Sequence, residues 1–332
     1  MSNSLSAGSV IRERYQVEAL IGQGGMGAVY RVADLRLPGR TCALKVLQTQ
    51  LRGLAVEGEF GDGRRQFLVE ASTLARLDHP NLPKVSDYFA LEDYDCLVMD
   101  YVPGQDLQQC IQEARRQGRF LPVADVLAWT GQLCDVLAYL HEQQPPVIHG
   151  DIKPANIKLT SDGRVKLVDF GLVRPGDPED PRTLTGFGLR GVASLPYAAL
   201  EQYAGPGGRV DARTDLYSLG ATLYHLVTNR PPASAHERFL DPANLLPPCQ
   251  VNPALPGSVQ QAILTAMQPH PKDRPASVAA WRKLLASPDL PVRSAALADT
   301  PEPARTVWLA NRWYALLAGL LVLAALILTF LR

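Results

Sequence analysis

The sequence predicts an α+β protein with a small β-rich N-terminal lobe that includes one helix, a larger and mainly helical C-terminal lobe, and one C-terminal transmembrane helix. Three observations predict this class. From Tyr15 to Leu47, apolar and polar residues alternate between glycine-rich turns, which is typical of β-strands. From Asp106 onward, apolar residues recur at helical spacing. Residues 313–331 form an uncharged apolar run of bilayer length.

Charge and cysteine content exclude several classes of protein. Lysine plus arginine and aspartate plus glutamate both total 33, so no overall basic field favours nucleic acid as a partner. The 5 cysteines are scattered, without a Cys-x-x-Cys pair or a nearby histidine cluster. This pattern argues against a disulfide framework or a zinc site and favours a reducing compartment. Residues 1–10 lack the basic start and apolar run of a signal peptide.

A glycine-rich loop follows the first predicted strand. Its residues are Ile21, Gly22, Gln23, Gly24, Gly25, Met26, Gly27, Ala28 and Val29. Glycine is needed where a backbone approaches phosphates closely or adopts a positive φ. A dinucleotide-binding loop would require a helix next, whereas residues 28–32 alternate like a strand. We therefore predict a β-hairpin that covers a nucleotide, with an ordinary glycine-rich hairpin as the alternative.

One lysine, Lys45, lies among apolar neighbours in the predicted strand of residues 41–47. A lysine buried in a strand is costly unless a partner compensates its charge. The candidate partner is Glu70, in the helical pattern of residues 64–77; Glu57 and Glu59 are rivals within a stretch that we predict to be a loop. The alternative is an edge lysine whose ammonium group reaches solvent.

The segment His149 to Asn156 and the later Asp-Phe-Gly at 169–171 carry the clearest chemical pattern. Residues 160–163 form a turn signal, and residues 165–168 alternate like a half-buried strand. A hairpin of this kind returns Asn156 and Asp169 to the same end of a two-stranded ribbon.

These residue types suit phosphoryl transfer. The amide oxygen of Asn156 and the carboxylate of Asp169 are hard ligands that can share Mg²⁺ with triphosphate oxygens. Asp151 is then available to orient and deprotonate a hydroxyl, and Lys153 can neutralise the moving phosphoryl group.

Together the motifs resemble those of protein kinases, and the Asp-x-Lys-Pro-x-Asn and Gly-Gly-Met-Gly forms resemble bacterial eukaryotic-like (Hanks-type) serine/threonine protein kinases. The resemblance implies a bilobal protein-kinase fold. Its expected parts are an N-terminal lead at 1–14 and a kinase domain at 15–286, divided into an N-lobe at 15–99, a hinge at 100–104 and a C-lobe at 105–286.

The resemblance also assigns roles to individual residues. Asp151 would be the catalytic base, Lys153 would stabilise the transferred phosphate, and Asn156 with Asp169 would hold Mg²⁺ or Mn²⁺. ATP would lie beneath the loop at 21–29. The other implied ATP-binding residues are Ala43, Lys45 with Glu70, Met99 as gatekeeper, and Asp100 and Val102 through their backbones.

Three further positions are implied by the family pattern in the C-lobe. Asp215 would hold the backbone of the catalytic loop, residues 149–156, and Arg274 would pair with Glu201. We expect Thr214 to cap the helix that carries Asp215. Candidate phosphorylation sites in the segment after Gly171 are Thr183, Thr185 and Ser194.

The chain departs from the family pattern at three positions. Gly150 stands where an arginine normally receives an activation-segment phosphate, which puts control by loop phosphorylation in doubt. Leu200 replaces the proline of the Ala-Pro-Glu motif, and Lys158 replaces the apolar residue beneath the adenine, where its methylene stem can substitute.

The expected function is transfer of the ATP γ-phosphate to Ser/Thr hydroxyls of protein substrates, with Asp151 as base. The alternative is a pseudokinase scaffold that binds without transfer, supported by Gly150 and Leu200. A small-molecule kinase is a third reading, which the long segment before Glu201 disfavours. A homodimer is a further candidate assembly.

The C-terminal part predicts a membrane anchor. Residues 287–312 have the proline-rich composition of a linker, and residues 313–331 would form a transmembrane helix of about 28 Å. Trp308, Trp313 and Tyr314 lie where aromatic belts form. We expect a single-pass protein of the cell (inner) membrane with a cytoplasmic kinase domain; a buried or dimerising apolar helix is the alternative.

Overall fold

The computed structural model describes residues 5–24, 27–48, 71–91, 94–169, 174–175, 192–203 and 210–287. Several predicted features lie outside these residues and stay predictions. They are Gly25 and Met26 of the loop, Glu70, the Phe-Gly of the second motif, Thr183, Thr185, and the linker and anchor segment.

The N-lobe is built on a six-stranded sheet of order β1-β2-β3-β4-β6-β5, with every neighbouring pair antiparallel. Its strands are β1 (Val10–Ile11), β2 (Tyr15–Gly24), β3 (Gly27–Asp34), β4 (Thr41–Gln48), β5 (Val85–Ala90) and β6 (Tyr94–Asp100). Alternation along β4 places Cys42, Leu44 and Val46 in an apolar cluster with Tyr15 and Val98. The intervening residues of β4 lie on the opposite face of the sheet.

The C-lobe is mainly helical. Its helices are α1 (Leu107–Arg116), α2 (Val123–His141), α3 (Ala212–Thr228), α4 (Ala235–Leu240), α5 (Pro248–Val251), α6 (Gly257–Ala266) and α7 (Val278–Leu285). Helix α2 follows Pro122 as predicted, and its Val126, Leu133 and Leu140 are fully buried in the larger core. Each such side chain contributes about 1.5–3 kcal/mol to stability.

Within the described ranges, α2 is also the one helix long and apolar enough to cross a bilayer. Its buried face belongs to the C-lobe core, and it contacts α3 and α7. Length and apolar composition of α2 are therefore explained by its place in the core. The predicted anchor at 313–331 lies outside the part that the structure describes.

Helix α3 is buried along nearly its whole circumference. It begins earlier than predicted, because Asp211 and not Thr214 is its N-cap. Asp211 accepts a hydrogen bond from the backbone of Arg213, and Thr214 closes a capping box through the backbone of Asp211. Two suitable capping residues three positions apart made the wrong choice possible.

Among the described residues, five short strands lie along the chain between the N-lobe sheet and α3. These are β7 (Gln105–Asp106), β8 (Val147–Ile148), β9 (Ile157–Leu159), β10 (Val165–Leu167) and β11 (Arg174–Pro175). Strands β9 and β10 pair antiparallel around the turn at 160–163, as predicted, and β7 pairs with the other edge of β9. Strand β9, which directly follows residues 149–156, is therefore hydrogen-bonded to β7, the strand in which the chain leaves the N-lobe.

Candidate active site

Asp215, on α3, fixes the backbone of the catalytic loop. Its fully buried carboxylate accepts the amides of His149 at 2.9 Å and Gly150 at 2.8 Å, and it contacts Nε2 of His141 at 2.9 Å. Burial alone would raise the pKa of Asp215, but the hydrogen bonds from His141 and the loop lower it below its usual range. The expected contact between this aspartate and the loop is present.

Asp151 follows directly and is held by two side chains of its own loop. Nζ of Lys153 lies 2.8 Å from Oδ2 of Asp151. The amide nitrogen of Asn156 donates to the Asp151 carbonyl at 2.9 Å and to Oδ2 at 3.0 Å. Because that nitrogen is engaged, the amide oxygen of Asn156 is the atom suited to bind a cation.

The hairpin returns Asp169 to Asn156, as the turn signal predicted. The amide of Val168 donates to the carbonyl of Asn156 at 2.8 Å. Asp169 has a φ of 57°, a left-handed conformation that costs a non-glycine residue about 1–3 kcal/mol and is concentrated at functional sites.

Lys45 joins the N-lobe to this cluster. Its Nζ lies 3.2 Å from Oδ1 of Asp169, and the charge of Lys45 is the largest cause of the lowered pKa of Asp169. The structure thus brings Lys45, Asp151, Asn156 and Asp169 to one site. An amide oxygen and an ionised carboxylate form the donor set that Mg²⁺ takes with phosphate oxygens, so these residues fit the ion.

Strand register explains how the N-lobe residues reach the cleft. Lys45 pairs with Val29 on one side and Leu97 on the other, while Ala43 pairs with Met99. Since Lys45 and Ala43 alternate with the core residues of β4, both face away from the N-lobe core.

Gly27 is required by a close backbone approach in the glycine-rich loop. A Cβ at this position would lie 2.0 Å from the carbonyl oxygen of Val46, and its φ is 148°. The loop therefore rests directly on β4, beside Lys45. At its other end, Ile21 is 45 % exposed, which leaves an apolar side chain available to a ligand.

The predicted hinge, residues 100–104, and Lys158 include the remaining residues that the resemblance assigns to the adenine. The amide of Asp100 donates to the carbonyl of Lys84 at 2.9 Å. Val102 is buried. Lys158 is paired with Asp106 at 3.4 Å across strands β9 and β7, which directs its ammonium to the hinge side.

Residues 192–203, here called the acceptor-side segment, lie against the catalytic loop. The Oγ of Ser194 is 2.7 Å from Nζ of Lys153, and Ser194 is only 6 % exposed. Our expectation that Ser194 is a phosphorylation site finds no support in this placement. Instead its hydroxyl connects the Asp151–Lys153 pair to residues 192–203.

The acceptor-side segment is itself fixed by the expected ion pair. Arg274 forms a two-point contact with Glu201, at 2.6 and 3.0 Å, and the two side chains are 0 % and 8 % exposed. Thr214 also donates to Glu201 at 2.8 Å. The replacement of proline by Leu200 leaves this contact in place.

Three positioning side chains were missed by the sequence analysis. Asn81 donates to the carbonyl of Val165 at 2.6 Å, His141 contacts Asp215, and Gln202 donates to the carbonyl of Gly150. Asn81 directly follows His79-Pro80, a pair typical of a turn, so its amide could have been found from the sequence. No local signal marks His141 or Gln202, because their partners are distant in sequence.

The chain belongs to the protein kinase family. The family model described as the protein kinase domain matches residues 15–279, which is most of the chain. The bilobal fold and the arrangement of residues just described are those of this family.

Particular relatives are bacterial. The serine/threonine-protein kinase PknJ of Mycobacterium tuberculosis is 38% identical over 287 residues, covering 82% of this chain and 45% of PknJ. A probable serine/threonine-protein kinase of Corynebacterium efficiens is 33% identical over 324 residues, covering 91% of this chain and 46% of the relative. The chain therefore spans about half the length of these curated relatives.

Among solved structures, the PknI kinase domain of Mycobacterium tuberculosis is 30% identical with a TM-score of 0.65. The match covers 85% of this chain and 98% of that domain. The similarity in structure thus extends over a whole kinase domain.

Proposed function

We propose that this chain is an ATP-dependent serine/threonine protein kinase. One observation carries the proposal: the Asp151 carboxylate, held by Lys153 and Asn156, shares a site with the Lys45–Asp169 pair. A hydroxyl acceptor and a nucleoside triphosphate can therefore meet at one place. The bacterial relatives, named as serine/threonine-protein kinases, support the same conclusion.

Each side chain has a task in this reaction. Asp151 orients the acceptor hydroxyl and accepts its proton, while Lys153 neutralises charge on the phosphoryl group. Lys45 binds the α and β phosphates and leaves Asp169 for the cation. Asn156 and Asp169 would hold Mg²⁺, or Mn²⁺, which supplies charge neutralisation to the triphosphate when bound.

The acceptor is proposed to be a protein. The contact between Ser194 and Lys153 places the acceptor-side segment next to the base, and Glu201 with Arg274 makes this segment rigid. A rigid surface beside the base suits an extended peptide that presents a Ser or Thr hydroxyl.

The proposal is tested by identifying the product. The full chain, purified in detergent, is incubated with labelled ATP, Mg²⁺ and a mixed protein acceptor, and phosphoamino acids are separated. We expect phosphoserine and phosphothreonine, abolished by a chelator and restored by Mg²⁺. Lys45→Met should lose at least about 100-fold in rate, since it removes a charge-stabilising group. Label on tyrosine alone, or none, would overturn the proposal.

A second candidate function is nucleotide binding without transfer, as in a pseudokinase scaffold. Gly150 and Leu200, which replace family residues, favour it. Magnesium-dependent ATP binding without phosphoamino acid product would select this candidate, whereas a small-molecule kinase would label only the low-molecular-weight fraction.

We further propose that residues 313–331 anchor the protein in the cell (inner) membrane with the kinase domain in the cytoplasm, because ATP and Mg²⁺ are there and the run has bilayer length. The full chain should sediment with membranes, and a chain truncated after residue 290 should not. A full chain found in the supernatant would contradict the anchor. Crosslinking of the same membranes tests the candidate homodimer.

A further inference from the structure

Gln202 connects the acceptor-side segment to the catalytic loop. Its Nε2 donates to the carbonyl of Gly150 at 2.9 Å, and its Oε1 accepts the amide of Ala199 at 2.9 Å. Gln202 is 2% exposed, and a buried amide is costly unless both of its ends are hydrogen-bonded. The side chain therefore has one favourable arrangement, which bridges residues 52 positions apart.

Gly150 is held from two sides. Its amide donates to Asp215 on α3, and its carbonyl accepts from Gln202. Its φ of 73° is one that glycine adopts without the steric cost that other residues bear. Since Asp151 is the next residue, these two bonds hold the peptide units on both sides of Gly150 and so the backbone that carries the Asp151 carboxylate.

The residue at position 150 has no side chain to reach a phosphate. In the described part of the chain, the acceptor-side segment is joined to the loop by the bond of Gln202 to Gly150 and by that of Ser194 to Lys153. Both bonds are present without phosphorylation of the chain. Glu201, adjacent to Gln202, is paired with buried Arg274. This ion pair holds the backbone that carries Gln202 in place.

We propose that Gln202 is a positioning residue that holds the catalytic loop in its active arrangement through the carbonyl of Gly150. This bond takes the place of a contact between a phosphate and a side chain at position 150. The expected effect on kcat rests on the proposed kinase function. The expected effect on the mobility of the loop rests on the hydrogen bond alone.

The test compares Gln202→Met with Gln260→Met in the full chain. Methionine keeps the length of the side chain and removes its hydrogen bonds. Gln260 is a matched control, because its Oε1 also accepts a backbone amide, that of Cys249 at 2.9 Å, away from the loop. Two readouts are taken: kcat and KM for transfer, and hydrogen exchange of the peptide spanning residues 147–153.

We expect Gln202→Met to lower kcat by roughly 10- to 100-fold with little change in the KM for ATP, because the base is displaced and the nucleotide contacts are not. Exchange in residues 147–153 should accelerate. Gln260→Met should match the wild type in both readouts. A Gln202→Met protein with wild-type exchange and kcat would overturn the proposal.

Gln202→Glu supplies a signature that a merely structural role would not produce. A neutral glutamic acid can donate to the Gly150 carbonyl, whereas a carboxylate cannot. The ratio of variant to wild-type kcat should therefore fall as pH rises, and a pH-independent ratio would contradict a role for this donor. If the wild type transfers no phosphate, the proposed function fails, and the exchange comparison alone still decides whether Gln202 holds the loop.

Discussion

Gly150 shows how one residue can set the geometry of the site. It precedes Asp151, has a left-handed φ of 73°, and has both backbone polar groups bonded to buried side chains. An arginine here would bear the steric cost of this left-handed conformation and would supply a side chain that can bind a phosphate. Glycine has neither the steric cost nor the phosphate-binding side chain. The departure from the family pattern is therefore compatible with an intact loop.

At this residue, Gly150→Ala should lower the free energy of unfolding by about 1–2 kcal/mol, because a Cβ is unfavourable at positive φ. Gly131→Ala is the matched control. Gly131 lies within α2, where the nearest atom to a new Cβ is 3.8 Å away, so alanine should stabilise the helix by about 0.5–1 kcal/mol. Urea unfolding of both variants checks the pair; equal effects would contradict the conformational argument.

At the scale of elements, the buried pair Arg274–Glu201 joins the loop after α6 to the acceptor-side segment. Arg274 also donates to the carbonyls of Gln268, Pro269 and Arg213. Its removal leaves these carbonyls without the arginine donor and the buried Glu201 carboxylate without its counter-charge. The stabilising effect therefore lies in avoiding that state more than in the attraction itself.

Arg274→Ala should lower the free energy of unfolding by about 3–5 kcal/mol, measured by urea denaturation. Arg282→Ala is the control, since the Arg282–Asp135 pair is 53% and 51% exposed and such pairs contribute about 1 kcal/mol or less. Similar losses in the two variants would show that burial of the Arg274 pair is not what matters.

Helix α3 also contains a group that makes stability depend on pH. Burial lowers the pKa of His225 from 6.5 to about 4, and the ring contacts the hydroxyl of Tyr197 at 2.7 Å. Between these pH values the unfolded chain binds a proton that the folded chain excludes. The contribution of His225 is therefore complete above pH 6.5 and is lost as the pH falls toward 4.

We expect His225→Gln to reduce the loss of unfolding free energy between pH 7 and pH 5 by about 2 kcal/mol relative to the wild type. His236→Gln, on the exposed surface of α4, should keep the wild-type dependence. Denaturant titrations at the two pH values measure the difference. If His225→Gln loses as much unfolding free energy between pH 7 and pH 5 as the wild type, His225 is not the group responsible.

At the scale of the whole molecule, local patterns predicted the elements well and the contacts between them unevenly. The return of Asn156 to Asp169 could be predicted, because a short hairpin with a clear turn signal determines it. The bond between Gln202 and Gly150 could not, since it joins distant segments and depends on how α3 holds both. The helix start was misplaced at Thr214 because Asp211 is an equally good local cap.

The central claim is that Asp151 is the base of a phosphoryl-transfer site, and the initial rate of transfer by Asp151→Asn tests it most directly. The full-length variant is compared at saturating ATP with Asp162→Asn, an exposed turn residue of the same hairpin. We predict that Asp151→Asn binds ATP and Mg²⁺ as the wild type does yet loses at least about 100-fold in rate, while Asp162→Asn keeps the wild-type rate. A rate above a tenth of wild type in Asp151→Asn would contradict the account.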